Sequence, residues 1–394
     1  MAEVTQVISP TAGYVFHNRL THSLQVAQVG RRLAEKLIRT HAELIATSSE
    51  GIDPDVVEAA CLAHDLGHPP FGHIAEDELN KVSDDIGGFE GNAQSFRVLT
   101  KLAFHSENHR GLDLTRATLA GVLKYPWKRG ANPDKPNKWG AYESEGSDYD
   151  FARALPPDQN RRTIEADLMD WADDVTYSVH DIEDFYRAGR MPLHLLAGND
   201  TTERDAFFHN IFEERRKGQA AFERRSDLQE AFTGVLMSQF PLEVTYTGTA
   251  RQRAALRLFS SNLIGRYIGA VKLEAKNNRC EVVIDPNLKD EVAMLKELVW
   301  TYVIEAPALA SQQYGQRRII RSLFECFSEA SGNSDGQRIF PAFYRERLDD
   351  ANEGEKKRIC VDLIAGLTEN QAANIYRRLT GSALGSALED VLSN

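Results

Sequence analysis

The sequence has few features of secreted, membrane-spanning or disulfide-bonded proteins. Only four cysteines occur in 394 residues, and no two of them form a Cys-x-x-Cys motif. Neither a disulfide framework nor a cysteine-based metal or redox site is indicated. No apolar run approaches the ~20 residues that a membrane-spanning helix needs. The opening segment MAEVTQVISP lacks the basic start and apolar core of a signal peptide, so we expect a cytoplasmic protein with no membrane partner.

The chain also has fewer positive than negative side chains. The 46 Lys and Arg residues face 58 Asp and Glu residues, which gives a net charge of −12. This balance argues against a protein whose whole surface binds nucleic acid, although it leaves room for a local basic groove. The composition is 42% hydrophobic and 26% charged, which is typical of a globular chain with a substantial core.

Helical periodicity dominates the chain. Between residues 18 and 40, Val26, Leu33 and Leu37 lie on an apolar stripe opposite a polar face, and His22 falls on the same inward stripe. A second helix is predicted from Asp53-Pro54, with Asp as cap and Pro in the first turn, and it must end before Pro69-Pro70. Further helices are predicted at about 76–83, 89–105, 113–124, 161–187, 202–238, 289–305, 312–329, 354–366 and 369–380.

Two stretches depart from this helical pattern. The segment VKLEAKNNRCEVVID, at 271–285, predicts a β-hairpin that turns at Asn277-Asn278. Residues 126–160 are rich in Pro, Gly, Asn and charge, and they are predicted to form a long irregular loop. The fold class is therefore predicted to be all-α, with at most one small β-hairpin.

The segment HDLGHPPFGHIAEDE, residues 64–78, combines three histidines with four carboxylates. His64 and Asp65 end an otherwise apolar helix, where ionisable side chains are costly unless they are paired or ligated. Imidazole and carboxylate together suit a divalent metal such as Mn, Fe, Co or Zn. Because adjacent helical residues point about 100° apart, such an ion needs further ligands from neighbouring helices.

Two other segments are candidates to supply those ligands. His22 lies on an inward apolar stripe, and Asp173, Tyr177 and Asp181 lie on one helix face at i, i+4 and i+8. Each feature alone has a plain structural explanation, since core histidines, His-Asp dipeptides and acidic helix faces are common. Their coincidence at predicted helix sites, in the order H…HD…D, favours a metal site.

Several motifs together resemble those of a known family. They are HNRLTHSLQVAQVGRR, AHDLGHPPFGHIAE, FEGNAQSFRVL, LKYPW and WADDVTYSVHDIED. The set resembles the signature segments of the dGTPase-like deoxynucleoside triphosphate triphosphohydrolases of the HD superfamily, which are related to vertebrate enzymes with SAM and HD domains. The resemblance runs from residue 5 to about 187 and continues weakly through QRRIIRSLFECF and DLIAGLTENQAANIYRRL. It implies an HD-domain helical bundle at 1–200, and a helical region at 201–394 that packs on this core and contributes to oligomerisation.

The resemblance also implies roles for individual residues. Asp173 rather than Asp174 is the matching carboxylate, because it keeps register with Tyr177 and Asp181. The implied ligands of one divalent ion (Mn, Mg, Fe or Co) are His22, His64, Asp65 and Asp173. The implied catalytic residues are the pair His73 and Glu76, with His68 as a further active-site histidine. The implied substrate contacts are Arg19, Lys124 and Tyr125 on the triphosphate, Gln6 and Val7 against the deoxyribose, Asn92 in the pocket, and Tyr177 and Asp181 on the 3′-hydroxyl.

The implied reaction is hydrolysis of dGTP, or of dNTPs more broadly, to deoxynucleoside and inorganic triphosphate. The metal would polarise the α-phosphate and lower the pKa of bound water from 15.7 towards roughly 7. His73, oriented by Glu76, would act as general acid for the leaving 5′-oxygen or as a base near phosphorus. An imidazole pKa of about 6.5 suits either role, and the sequence leaves both open.

Other functions and partners stay open. The chain could be another HD-superfamily hydrolase, such as a 5′-nucleotidase or an alarmone or cyclic-nucleotide hydrolase. It could also be a catalytically silent regulator that binds nucleotide or single-stranded DNA. Single-stranded DNA binding is open as a secondary property of an enzyme too, because Lys124–Arg129 and Arg317-Arg318 could line a local basic groove. An allosteric dNTP is a further candidate ligand, and the resemblance implies a homo-oligomer, hexamer or tetramer. It also implies a helix ahead of Thr5-Gln6-Val7, so we expect an N-terminally shortened member.

Overall fold

The fold is built almost entirely of helices. The computed structural model of the protein describes residues 18–154, 161–215, 224–277 and 279–383, so Gln6 and Val7 lie outside the described residues. The helices are α1 (Arg19–Thr40), α2 (Ala42–Thr47), α3 (Pro54–Ala63), α4 (His73–Val82), α5 (Gly91–Arg97), α6 (Arg116–Val122), α7 (Gly146–Arg153), α8 (Ile164–Arg187), α9 (Leu193–Leu196), α10 (Thr202–His209), α11 (Arg225–Gln239), α12 (Ala250–Gly269), α13 (Pro286–Val299), α14 (Pro307–Ser331), α15 (Ala342–Leu348), α16 (Glu353–Ala365) and α17 (Glu369–Leu379). None of these described helices is both long enough and apolar enough to cross a bilayer.

The strands form two small antiparallel pairs. β3 (Val271–Lys276) pairs with β4 (Arg279–Ile284), in register from Val271 opposite Ile284 to Lys276 opposite Arg279. This pair is the predicted hairpin, and Asn277 at its turn has φ of 51°. A second, exposed pair was not predicted and joins β1 (Phe104–Ser106) to β2 (His109–Arg110). The predicted all-α class is thus confirmed, with one strand pair more than expected.

The long helix α1 forms as its sequence predicts. Asn18 caps it, since the Asn18 side chain accepts from the Thr21 backbone N–H at 2.9 Å while Thr21 Oγ1 accepts from Asn18 N at 3.0 Å. Val26, Leu33 and Leu37 are fully buried, so the inward stripe is confirmed. Helix α1 packs against α3 and α8, and α6 also contacts both α3 and α8.

Two large hydrophobic clusters and a small one, Ala93 with Trp139 and Tyr142, lie among the described residues. The larger of the two large clusters joins α1, α3 and α8 to α11, α12, α13 and the β3–β4 hairpin. The other large cluster joins α4 to α14, α16 and α17. The domain boundary predicted at residue 200 stays a prediction, and the larger cluster extends across that residue.

Several element bounds differ from the sequence predictions. The predicted loop 126–160 contains a 3-10 turn, Glu143–Glu145, followed directly by α7. The helix predicted at 202–238 is divided into α10, a π-helical turn Asn210–Arg215 and α11. The predictions omit α12, although Leu256, Phe259 and Leu263 repeat at helical spacing and are buried. Its signal is weak because three arginines interrupt that apolar pattern in its first two turns.

A buried ion network ties the C-terminal helices to the rest of the fold. Arg97, on α5, donates to both carboxylate oxygens of Asp362 on α16, each at 2.8 Å, and to Glu145 Oε1 at 2.6 Å. All three side chains are at most 6% exposed. Charges buried this deeply are tolerated only because they are paired.

Replacing Arg97 with Met is expected to lower the free energy of unfolding by about 3–5 kcal/mol, because each of two buried carboxylates loses its shortest ion pair. Urea denaturation followed by circular dichroism measures the change. The control is Arg31→Met, since Arg31 contacts Glu35, Asp55 and Glu58 but is 38% exposed, and such surface pairs contribute about 0–1 kcal/mol. Equal destabilisation by the two substitutions would contradict the network's role.

Candidate metal centre

Three buried side chains and one partly exposed side chain, from three parts of the chain, converge on one point. His22 comes from α1, His64 and Asp65 directly follow α3, and Asp173 comes from α8. Nε2 of His22 lies 3.1 Å from Asp173 Oδ1, and Nε2 of His64 lies 3.5 Å from the same oxygen. His22, His64 and Asp65 offer ligand atoms that all lie within 4.8 Å of one another. Ligands around one octahedral ion stand roughly 3 Å apart in cis and 4 Å in trans, so this spacing suits a metal.

The surroundings of His64 provide a test of whether a cation fits. Its Nδ1 lies 2.7 Å from the Cys61 carbonyl oxygen and donates to it, so in the neutral ring Nε2 carries the lone pair. Nε2 is buried and has no hydrogen-bond partner within the described ranges. Burial opposes a charge on this ring, but Asp65 and Asp173 outweigh burial and raise the His64 pKa to about 9. The same field favours a cation at Nε2, and a backbone bond at Nδ1 is the usual support of a ligating histidine. The residues therefore fit a divalent ion.

Two cationic side chains form ion pairs with the two carboxylates of the candidate metal site. Arg19 Nη1 lies 2.9 Å from Asp65 Oδ2, and Lys124 Nζ lies 3.1 Å from Asp173 Oδ2 and 2.8 Å from Asp170 Oδ1. Burial alone would raise the pKa of Asp65 and Asp173, but these cations and the nearby histidines hold both pKa values well below their usual range. Both carboxylates are thus ionised. The family resemblance implies that Arg19 and Lys124 contact a triphosphate. In the structure, Arg19 lies beside Asp65 and Lys124 beside Asp173, both candidate metal ligands.

The predicted catalytic pair is assembled at the start of α4. His73 Nδ1 lies 3.0 Å from Glu76 Oε2, with His73 83% exposed and Glu76 buried. The His68 ring lies 6.2 Å from the His73 ring, and His68 Nδ1 lies 3.1 Å from Asp65 Oδ1. Burial lowers the His68 pKa to about 4 despite Asp65, with Arg19 adding to the lowering. His68 is therefore neutral at physiological pH.

A lysine that sequence reasoning missed connects this pair to a second buried carboxylate. Lys138 Nζ lies 2.8 Å from Glu76 Oε1 and 3.0 Å from Glu90 Oε1. Glu90 is fully buried, caps α5, and accepts from the Asn92 side chain at 2.8 Å. Trp127 Nε1 donates to the Lys138 carbonyl at 2.7 Å and so fixes the backbone there. No periodicity marks Lys138, because it lies in the loop before α7 and only the fold brings it to Glu76.

The two predicted sugar contacts follow Asp173 on α8. Asp181 is buried, and its Oδ2 has no hydrogen-bond partner in the part of the chain that the structure describes. Burial raises the pKa of both Tyr177 and Asp181, and neighbouring carboxylates add to the shift. A buried oxygen of this kind is expected to accept a donor, such as a ligand hydroxyl. Tyr125 follows Lys124, and its ring lies 5.5 Å from the ring of Trp127. Burial raises the pKa of its hydroxyl, while Lys124 and Lys138 act in the opposite direction.

Two glycines allow α5 to approach the His-Asp turn. A Cβ on Gly91 would lie 2.9 Å from His68 Nε2, and one on Gly67 would lie 2.0 Å from the Ser95 backbone nitrogen. Ser95 Oγ accepts from Gly67 N at 2.9 Å and donates to the His64 carbonyl at 2.8 Å. The FEGNAQS segment thus holds the backbone of His64 directly.

Two models of protein families match parts of the chain. A model of the HD domain matches residues 19–178, and a model of the phosphohydrolase-associated domain matches residues 282–378. The chain is 38% identical to a deoxyguanosinetriphosphate triphosphohydrolase-like protein of Streptomyces coelicolor, over 97% of this chain and 89% of that protein. Proteins with the same name from Corynebacterium efficiens and Shewanella sediminis are 34% and 29% identical, over 97% and 98% of this chain and 87% and 89% of their own lengths.

The chain belongs to the family of deoxyguanosinetriphosphate triphosphohydrolase-like proteins. The family resemblance inferred from the motifs is thereby confirmed. Together, the HD domain and the relatives support a phosphohydrolase. HD domains typically depend on a divalent metal, and the His/Asp cluster described above lies inside the matched range.

Proposed function

We propose that this protein hydrolyses deoxynucleoside triphosphates to deoxynucleoside and inorganic triphosphate. One observation carries the proposal: His22, His64, Asp65 and Asp173 converge on one point, beside fixed cations and a histidine–carboxylate pair. Family membership supports the choice of nucleotide as substrate, because the relatives are named for dGTP.

His22, His64, Asp65 and Asp173 would hold one divalent ion, Mn, Mg, Fe or Co. When bound, such an ion supplies Lewis acidity at phosphorus and lowers the pKa of water. The chain's contribution is a preorganised set of donors. Its two carboxylates are held ionised by Arg19 and Lys124, and the His64 tautomer is fixed by a backbone carbonyl.

His73 is proposed as the proton carrier. Glu76 accepts from His73 Nδ1, which leaves Nε2 of the neutral ring as the atom that can take or deliver a proton. His73 is largely exposed, as a group that must reach a substrate needs to be. Glu76 stays ionised, because Lys138 and the histidines outweigh burial and keep its pKa below the usual range. His68 is proposed as a neutral active-site donor or acceptor.

The substrate contacts are proposed by resemblance and supported by the contacts within the chain. Arg19, Lys124 and Tyr125 would approach the triphosphate once the ion shares the carboxylates. Tyr177 and Asp181 would hold the 3′-hydroxyl, and the unpaired Asp181 Oδ2 supports that role. Gln6 and Val7 are proposed to lie against the deoxyribose, and Asn92 is proposed to line the substrate pocket. A cytoplasmic homo-oligomer, hexamer or tetramer, is proposed on the resemblance alone.

The test is product analysis with each dNTP, GTP, a deoxynucleoside monophosphate and a cyclic nucleotide, with Mn²⁺ or Mg²⁺. We expect inorganic triphosphate from dNTPs, none from GTP, and none after chelation. Orthophosphate from the monophosphate would identify a nucleotidase instead. Nucleotide or single-stranded DNA binding without any turnover in metal-loaded protein would identify a regulator.

The sugar contacts make a separate prediction. A dideoxynucleoside triphosphate of the same base lacks the 3′-hydroxyl, so Asp181 would stay buried and unpaired. We expect kcat/KM to fall by about 10³-fold or more relative to the dNTP, as at sites built to bind a hydroxyl. Steady-state kinetics on both substrates measures the ratio of the two kcat/KM values. Asp181→Asn should bring this ratio closer to one. Equal kcat/KM values would exclude Asp181 and Tyr177 from sugar recognition.

A further inference from the structure

An arginine-rich cavity lies behind the start of α8 and shares no lining residue with the metal centre. Its volume is about 430 Å³, within the range of about 300–1,000 Å³ typical of small-molecule sites. Five parts of the fold line it: the loop between α2 and α3, α6, α7, the start of α8, and β4. We use the name "arginine cavity" for this space, defined by Arg116, Arg161, Arg162 and Arg279.

The charges of the arginine cavity are unbalanced. Four arginines and two glutamates, Glu50 and Glu165, line the space. Arg162 is already paired with Asp170 and Asp167, so the other three guanidinium groups exceed the two carboxylates by one positive charge (3 − 2) when both carboxylates are ionised. Glu50 already lies 3.6 Å from Arg279. Burial raises the pKa of Glu165.

Two of these arginines have spare hydrogen-bonding capacity. Within the described residues, Arg116 forms no ion pair or hydrogen bond; its guanidinium lies 4.5 Å from the Phe151 ring centroid, and its Nε is buried. Arg161 forms no ion pair in the same ranges and donates only to the Cys280 carbonyl, at 2.8 Å. Its own carbonyl accepts from Arg153 at 2.6 Å, which fixes the backbone at this point. A guanidinium presents five donors, so most of those on Arg116 and Arg161 are unused.

A third arginine connects the cavity to the metal centre. Arg162 Nε donates to the Lys124 carbonyl at 2.7 Å, and Arg162 Nη1 lies 2.5 Å from Asp170 Oδ2. Lys124 in turn contacts Asp170 and the candidate ligand Asp173. A ligand that binds Arg162 and displaces it would therefore affect a continuous series of contacts, from Arg162 through Lys124 to Asp173.

We propose that the arginine cavity binds a small phosphate-bearing anion, at a site separate from the metal centre. Planar guanidinium groups suit phosphate oxygens, and the alanines that line the cavity leave room for the anion. Two sources share this chemistry: free inorganic phosphate or polyphosphate, and the phosphates of a nucleotide. Binding here does not depend on whether the chain hydrolyses dNTPs.

The test is calorimetric titration of chelator-treated, desalted protein, in which binding through a metal is removed. The probes are inorganic phosphate, inorganic triphosphate, dGTP and uncharged deoxyguanosine. We expect triphosphate to bind and deoxyguanosine not to bind. Equal affinities for triphosphate and dGTP would identify free polyphosphate as the ligand, whereas tighter dGTP binding would identify a nucleotide. Either supports the site, and failure of every anion to bind would overturn it.

Two variants assign the binding to this cavity. Arg116→Gln with Arg161→Gln should weaken triphosphate binding by about 10²-fold, roughly tenfold per guanidinium. The matched control, Arg251→Gln with Arg253→Gln, removes the same charge from exposed positions on α12 and should not change it. Ala117→Phe keeps all four arginines but fills the space, and it should abolish binding in protein whose thermal melting is unchanged. Unchanged affinity in both cavity variants would overturn the site.

Discussion

Replacing His64 with Ala is expected to remove tightly bound metal and to lower the proposed triphosphate release by about 10³-fold or more. That loss corresponds to roughly 4 kcal/mol of transition-state stabilisation, which is within the contribution of a catalytic metal. His64 carries the effect because its Nε2 is buried, has no hydrogen-bond partner among the residues that the structure describes, and lies 3.5 Å from Asp173 Oδ1. Metal content per chain by mass spectrometry and triphosphate release measure the two effects.

The control for this variant is His105→Ala, because His105 lies exposed on β1, outside the metal centre. It should keep both the metal and the activity. If His64→Ala kept a full equivalent of metal and wild-type turnover in folded protein, the proposed ligand set would be wrong. Loss of metal without loss of turnover would instead separate the metal from the reaction.

Replacing Lys138 with Met is expected to lower kcat by about 10²-fold and to move the acidic limb of the pH profile to higher pH. The ammonium bridges Glu76 and Glu90, two buried carboxylates. Without it, burial and mutual repulsion raise the pKa of this carboxylate pair. A protonated Glu76 no longer accepts the proton of His73 Nδ1, so activity is lost as pH falls through the raised pKa.

The measurement is kcat against pH from about 5 to 9, the range in which histidine catalysis titrates, for wild type, Lys138→Met and Lys138→Arg. The arginine variant keeps the charge and should restore most of the profile. Lys128→Met, on the same loop but half exposed near Asp150, serves as the control and should match wild type. A uniform loss of kcat at every pH in Lys138→Met would indicate a packing role only.

The local sequence was sufficient for the elements that carry the site. The inward stripe of α1, the Asp53-Pro54 start of α3 and the i, i+4, i+8 register on α8 each depend on helical periodicity and capping, which act over a few residues. These patterns predicted the helix positions of His22, Asp173 and Asp181 as the structure has them. The missed helix α12 shows where this reasoning fails, because interspersed arginines weaken its amphipathic signal.

Contacts between distant residues were decided by the tertiary structure. Lys138 meets Glu76 across 62 positions of sequence, and Arg97 meets Asp362 across 265. Neither contact leaves a periodic signal, because each depends on how helices and loops pack rather than on local backbone preference. The arginine cavity likewise depends on tertiary packing, since its four guanidinium groups come from α6, the start of α8 and β4.

By itself, the sequence determined the all-α class, the family and the residue types of the candidate metal centre, because these depend on local periodicity and on a motif set. Only the tertiary structure decided which carboxylates pair with which cations. Packing brings Nε2 of His22 to 3.1 Å and Nε2 of His64 to 3.5 Å from Asp173 Oδ1. It also buries both histidines, and burial makes the free energy of a charge at this site depend on its immediate neighbours.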